Sequence, residues 1–243
     1  MRRLQILGSG NAFNTGGRAH ACYLLENSSG RKMLLDFGAT SLRELQKRGV
    51  NLLELDFLLL THFHGDHFGG LPFLLLELDL ILRRDSFTII GPPGVQAACE
   101  TLLDAMYPDY KFRLEIEYRE VKGPFTRNDF HIEAIGQVHR PESLGYRIRG
   151  PRGRSMAFSG DASFDENLFA LVDGVDAAIV ELSMEKQEDP PIKHVALDEV
   201  QAGREKLRAK RVIFTHIYDQ LAAQVRALEL GEVAEDGMII DFP

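Results

Sequence analysis

The stretch that most restricts how this chain can fold is Phe57-Leu-Leu-Leu-Thr61-His62-Phe-His64-Gly65-Asp66-His67-Phe-Gly-Gly70. A short apolar run of strand length, Phe57–Leu60, reads as a strand buried on both faces, so it needs a layer above it and another below. The run ends in three histidines and a carboxylate. In an extended segment, side chains two apart project to the same side, so His62 and His64 can face one point. Gly65 then permits a sharp turn and leaves Asp66 and His67 facing a second point beside the first. Neutral imidazoles and carboxylates are good donors to Zn²⁺-like ions. A His-rich surface loop would seldom follow a buried strand or alternate this way, so the pattern predicts a metal site.

The first sixty residues read as strands and turns. Leu4–Leu7 runs into the turn Gly8-Ser9-Gly10-Asn11, and 14–20 is a glycine-containing loop beside the site. Ala21–Leu25 and Lys32–Leu35 form a hairpin across Asn27–Gly30. Asp36 is either a turn residue or a group that orients a ligand imidazole. Ser41-Leu-Arg-Glu44 has capping-box spacing and opens a helix to about Arg48. Leu71–Leu82 is apolar on nearly all sides apart from Glu77 and Asp79, so a helix there must be covered all round. Part of it is expected to form a homodimer interface. Phe87–Ile90 is a strand, a helix follows Pro92-Pro93-Gly94 to about Tyr107, and Phe112–Tyr118 and Phe130–Ile135 are strands. The second half repeats this logic with strands at Tyr146–Ile148, Met156–Phe158 and Ala177–Val180 and a helix over about Ala196–Leu207. Val212-Ile-Phe-Thr215-His216 echoes Leu58-Leu-Leu-Thr61-His62. Two strand sets, each followed by helices, predict two packed sheets covered outside by helices, with 1–243 as one domain.

A net charge of −8 argues against a surface built for binding nucleic-acid backbones. Cys22 and Cys99 provide neither a disulfide framework nor a metal clip. The Met1-Arg-Arg start lacks a signal peptide's apolar core, and the longest apolar run is too short to span a membrane. A cytoplasmic location is expected.

His139 follows an apolar strand, Asp161 ends one, and His216 ends another. Each alone would more often be structural. Together they complete what 62–67 begins, because two ions sharing four side chains remain under-coordinated. His139 gives the first ion three imidazoles, His216 gives the second Asp66, His67 and His216, and Asp161 can bridge both.

The pattern His62-x-His64-x-Asp66-His67, His139, Asp161, His216 resembles the metallo-β-lactamase superfamily over nearly the whole chain. Phe158-Ser-Gly-Asp161, Leu7-Gly-Ser-Gly10 and Leu35-Asp-Phe-Gly38 are similar to motifs of its ribonuclease Z branch and related small phosphodiesterases. The resemblance implies an α/β fold, a four-layer αββα sandwich of two mixed sheets flanked by helices. It implies a dinuclear site holding two divalent ions (zinc, with manganese and iron also suited), and hydrolysis of a small or cyclic phosphodiester or an RNA end by a hydroxide held between them. It gives Asp66 a catalytic role. His194, 216 − 194 = 22 positions before His216, corresponds to a histidine near the scissile phosphate, and Glu181 to its acidic partner; otherwise His194 is a loop residue near a helix start. Only 161 − 139 = 22 positions separate His139 from Asp161, where tRNA-processing ribonucleases Z carry a long arm. That departure and the loop 14–20 weaken the alternative of tRNA 3′-end processing. A lactone or thioester hydrolase on the same metals, and a non-catalytic metal-binding relative, are further alternatives.

Overall fold

The computed structural model describes residues 1–242. Along the chain lie β1 (Arg3–Gly8), β2 (Cys22–Glu26), β3 (Lys32–Leu35), α1 (Ser41–Lys47), β4 (Leu55–Leu59), α2 (Gly65–Phe68), α3 (Leu71–Leu80), β5 (Phe87–Gly91), α4 (Val95–Met106), β6 (Ile116–Glu120) and β7 (Phe125–Arg127). Then follow β8 (Phe130–Gly136), β9 (Leu144–Arg149), β10 (Ser155–Phe158), α5 (Glu166–Val172), β11 (Ala177–Glu181), α6 (Leu197–Gly203), β12 (Val212–Thr215), α7 (Asp219–Ala227), β13 (Glu232–Val233) and β14 (Ile239–Asp241). One seven-stranded sheet runs β14-β1-β2-β3-β4-β5-β6 and the other β13-β12-β11-β10-β9-β8-β7. Each mixes parallel and antiparallel pairs, with β3 to β6 parallel in the first and β10 to β13 parallel in the second.

The alternation of side chains along β4 shows why two sheets are needed. Phe57 and Leu59 enter a cluster with Tyr146, Ile148, Phe158 and Ile213 of the facing sheet. Leu58 and Leu60 turn the other way, onto Leu74 and Leu78 of α3 and Val95 of α4. Behind the second sheet, Ala178, Val180 and Phe214 pack on Leu168 of α5, Val200 of α6 and Leu221 of α7. A strand with both faces apolar is stable only as an inner layer, and the result is the expected αββα sandwich.

Local details differ from the sequence reading. Thr40, rather than Ser41, caps α1, and no side-chain cap bond forms. Glu44 is 2% exposed and is taken by Arg43, Lys47 and Arg48, so it cannot close a capping box. The strand expected over Phe112–Tyr118 begins only at Ile116, because buried Asp79 accepts the backbone N–H groups of Arg113 and Leu114. Helix α3 ends at Leu80, and Leu82 adopts a left-handed conformation with φ 58°. The segment 71–82 is not covered all round: Leu71, Leu74, Leu75 and Leu78 are buried, while Leu80, the last residue of α3, and Leu82 beyond it are 59% and 62% exposed. Helix α6 stops at Gly203 and gives way to a 3-10 turn over Arg204–Lys206.

Candidate metal centre

The C-terminal end of β4 meets the C-terminal ends of β10, β11 and β12 across the sandwich, and the candidate residues gather there. Thr61, His62 and His64 continue β4 in extended backbone. Gly65 opens a one-turn helix rather than a sharp turn, with His67 and Phe68 N–H donating to the His64 carbonyl, and that turn carries Asp66 and His67. Two glycines make room for this. A side chain on Gly38 would overlap the Asp66 carbonyl, and Gly160, at φ 57°, lies against the Thr61 side chain. A left-handed, close-packed position before Asp161 favours glycine.

All nine candidate residues converge. His62, His64, His139 and Asp161 present donor atoms within 4.8 Å of one another, as do Asp66, His67, Asp161 and His216, and as do Asp161, Glu181 and His194. Asp161 divides its carboxylate between the first two groups. Its Oδ2 lies 3.7 Å from His62 Nε2 and 3.6 Å from His139 Nε2; its Oδ1 lies 3.1 Å from His67 Nε2 and 3.6 Å from His216 Nε2. His216 Nε2 is 3.0 Å from Asp66 Oδ2, and His139 Nε2 is 3.1 Å from His64 Nδ1.

The opposite ring nitrogens are fixed from behind. Fully buried Asp36 accepts from Thr61 N–H at 2.8 Å, from Thr61 Oγ1–H at 2.8 Å and from His67 Nδ1–H at 2.7 Å. With its proton given to Asp36, Thr61 Oγ1 accepts from His62 Nδ1–H at 3.0 Å. His139 Nδ1–H donates to the Lys193 carbonyl at 2.8 Å. Each of these rings therefore turns its Nε2 inward, the orientation that metal-binding histidines adopt. Asp36 thus takes the orienting reading. The hydroxyl of Thr61 and the Lys193 carbonyl have no counterpart in the sequence reading. The Thr-His repeat suggested equivalence, but Thr215 Oγ1 bonds the Tyr23 hydroxyl at 2.7 Å instead.

Electrostatics separates the groups. Burial pushes His62 down to about 2 and lowers His64 and His139. Burial also opposes charge on His67 and His216, but there the neighbouring carboxylates win and raise both. For Asp66, burial is outweighed by hydrogen bonds from His216 and His67, which hold it below the usual carboxylate range. His194 donates from Nδ1 to Glu181 Oε1 at 2.7 Å; burial opposes its charge, but Glu181 raises it to about 9. In the metal-free protein, His194 should therefore titrate near 9 by NMR, and Glu181→Gln should return it toward 6.5. A value near 6.5 in the unsubstituted chain would refute this. Because the folded value is the higher one, this pairing stabilises fully below pH 6.5, and the benefit is lost as pH rises through about 9.

The donor set fits divalent cations. The Nε2 atoms of His62 and His67 and Asp161 Oδ1 are buried without a hydrogen-bond partner. Such groups are costly unless something satisfies them, and a cation between them would. Arg18, near the site in the chain, bonds Asp219, Ser9 and the Ala234 carbonyl. The exposed Arg140 bonds Glu142.

The comparisons agree with this fold. Ribonuclease Z of Haloferax volcanii is 33% identical over 147 residues, which are 60% of this chain and 46% of that protein. The chain thus spans about half the length of the curated relatives of this kind that it matches. Human tRNase Z, short form (ELAC1), superposes with a TM-score of 0.80 at 23% identity over 99% of both chains. The metallo-β-lactamase fold protein YhfI from Bacillus subtilis does so at 0.81 and 18% identity, over 99% of this chain and 100% of that one. These structural likenesses establish the fold. A family model described as anti-Pycsar protein Apyc1 matches residues 2–237, nearly the whole chain, and the protein, which has the metallo-β-lactamase fold, therefore belongs to that family.

Proposed function

We propose that the chain is a metal-dependent hydrolase acting on a small or cyclic phosphodiester or an RNA end. The observation that carries this is the division of Asp161 between two donor groups, with the His194–Glu181 pair against both. His62, His64 and His139 would hold one divalent ion, Asp66, His67 and His216 another, with Asp161 shared; zinc suits these donors, as do manganese and iron. Bound there, such ions acidify a water and neutralise charge on phosphoryl oxygens.

The chain's own residues supply the rest. Asp66 orients the attacking water and accepts its proton at a carboxylate oxygen. His194 is cationic at neutral pH and gives the Nε2 proton to the leaving oxygen, while Glu181 holds its Nδ1. The His194 ring lies 4.6 Å from that of His139 and 5.9 Å from that of His216, which places it beside both donor groups.

A panel of bis(p-nitrophenyl) phosphate, 2′,3′-cyclic nucleotides, a pre-tRNA and an acyl lactone, with bound metal quantified, tests this reading. Phosphodiester turnover is expected, falling ~10²–10⁴-fold in His194→Ala with both ions retained. Turnover of the lactone alone would sink it. The ribonuclease Z relatives favour tRNA 3′-end processing as a second reading. Against it, the positions between His139 and Asp161 are used by β9, β10 and their turns, and the net charge is −8.

Among the described residues, no helix is long and apolar enough to cross a membrane. We place the protein in the cytoplasm, where the buried, unpaired Cys22 and Cys99 stay reduced. The exposed apolar residues Leu80, Ile81 and Leu82 at the end of α3 support a homodimer through that face. Light scattering is expected to give twice the chain mass, and Leu82→Glu to halve it; a monomer at high concentration would refute the interface.

A further inference from the structure

We propose that Ser183 is a positioning residue that ties His216 to Glu181, so that one carboxylate sets the orientation of both His194 and a metal-binding histidine. The inference rests on the metal reading above. Glu181 ends β11 and is 1% exposed. Its Oε1 accepts from His194 Nδ1–H at 2.7 Å and from Ala162 N–H, next to Asp161, at 2.9 Å. Its Oε2 accepts from Ser183 Oγ–H at 2.6 Å.

A serine hydroxyl has a single proton. The carboxylate takes it at 2.6 Å, ahead of the His216 carbonyl at 3.5 Å. The Ser183 oxygen can then only accept from His216 Nδ1, 2.7 Å away. The chain has one direction: His216 Nδ1–H to Ser183 Oγ–H to Glu181. It fixes the Nδ1 proton of His216 on Ser183 and leaves Nε2 as the ring nitrogen that faces Asp66 and Asp161.

The backbone makes such a tether necessary. His216 sits at φ 58°, a left-handed conformation that is unfavourable for a non-glycine residue and persists only where its surroundings hold it. Ser183 is held in turn, its N–H donating to the Val195 carbonyl at 3.2 Å. It does for His216 what Thr61 does for His62, from a different strand end. The same carboxylate thereby spans the proton donor, the bridging aspartate's neighbour and one ligand of the second group.

The test is metal binding rather than turnover. Zinc is titrated into metal-free protein against a chromophoric chelator. The unsubstituted chain should bind two ions, and Ser183→Ala should weaken one of them ~10–100-fold while leaving the other unchanged. Ser183→Thr, which keeps the hydroxyl, should restore the loss. Ser183→Cys keeps the volume with a weak donor and should show a loss of the same sign, which covers an insoluble alanine variant. Because both residues act through one chain, the loss in Ser183→Ala combined with Glu181→Gln should equal that of Glu181→Gln alone. Two ions bound with unchanged affinity in Ser183→Ala or Ser183→Cys, or a threonine variant as weak as alanine, would overturn the role of Ser183. No zinc bound by the unsubstituted chain would instead overturn the metal reading itself.

Discussion

Asp161→Asn is expected to abolish turnover and to strip the protein to one bound ion or none. Each oxygen of Asp161 belongs to a different donor group, so the side chain cannot be replaced by a group with one acceptor. An amide must turn its NH₂ toward either His62 and His139 or His67 and His216, and there offers hydrogens where a cation would need a lone pair. Metal ions contribute several kcal/mol of charge stabilisation in such reactions. At 1.36 kcal/mol per factor of ten, the loss is about 10³-fold or more. Thermal unfolding provides a second readout. Zinc should raise the melting temperature of the unsubstituted protein, since it binds the folded state alone, and should leave that of Asp161→Asn nearly unmoved. Two ions bound with normal affinity by the variant would overturn the bridging role.

Much of this site was legible in the sequence because its densest part is local. His62, His64, Asp66 and His67 lie within one strand end and one helical turn, so spacing alone nearly places them. His139, Asp161 and His216 were legible only as a set: each ends or follows a strand, and strands ending at one edge of a sheet bring their last residues together. The hydroxyls were not legible. Thr61 and Ser183 matter because of what stands beside them in space, and serine and threonine occur at so many strand ends that neither announces a partner. The Thr-His repeat even suggested the wrong correspondence, since Thr215 turns to Tyr23 and Ser183 serves His216. In the fold, buried strands were clear from their apolar runs, whereas three-residue β7 and the amphipathic α5 and α7 were missed. The signal for α5 was present: Asp165 caps it by accepting from Asn167 and Leu168 N–H. The capping box at Ser41 failed for a tertiary reason, as Glu44 is occupied by Arg48.

The largest loss of stability is expected from Asp36→Ala. Asp36 is fully buried, and its three donors, two from Thr61 and one from His67, have no other partner of this strength. Truncation leaves each of them unsatisfied, at ~1–3 kcal/mol per buried group. Removing one partner of a buried charged pair costs about 3–5 kcal/mol. Asp36 also sits at φ 53°, which aspartate and asparagine tolerate better than alanine does. A total near ~5 kcal/mol is a large share of the ~5–15 kcal/mol that keeps a domain folded. Urea unfolding of the metal-free protein should show it. Asp36→Asn separates the contributions: it keeps the backbone tolerance and one acceptor oxygen, and should lose less than half as much. Both variants should bind metal more weakly at both groups, because Asp36 fixes His67 directly and His62 through Thr61. A loss below ~1 kcal/mol in Asp36→Ala would mean that water replaces the carboxylate, and that the two imidazoles are held by the packing around them rather than by the bonds behind them.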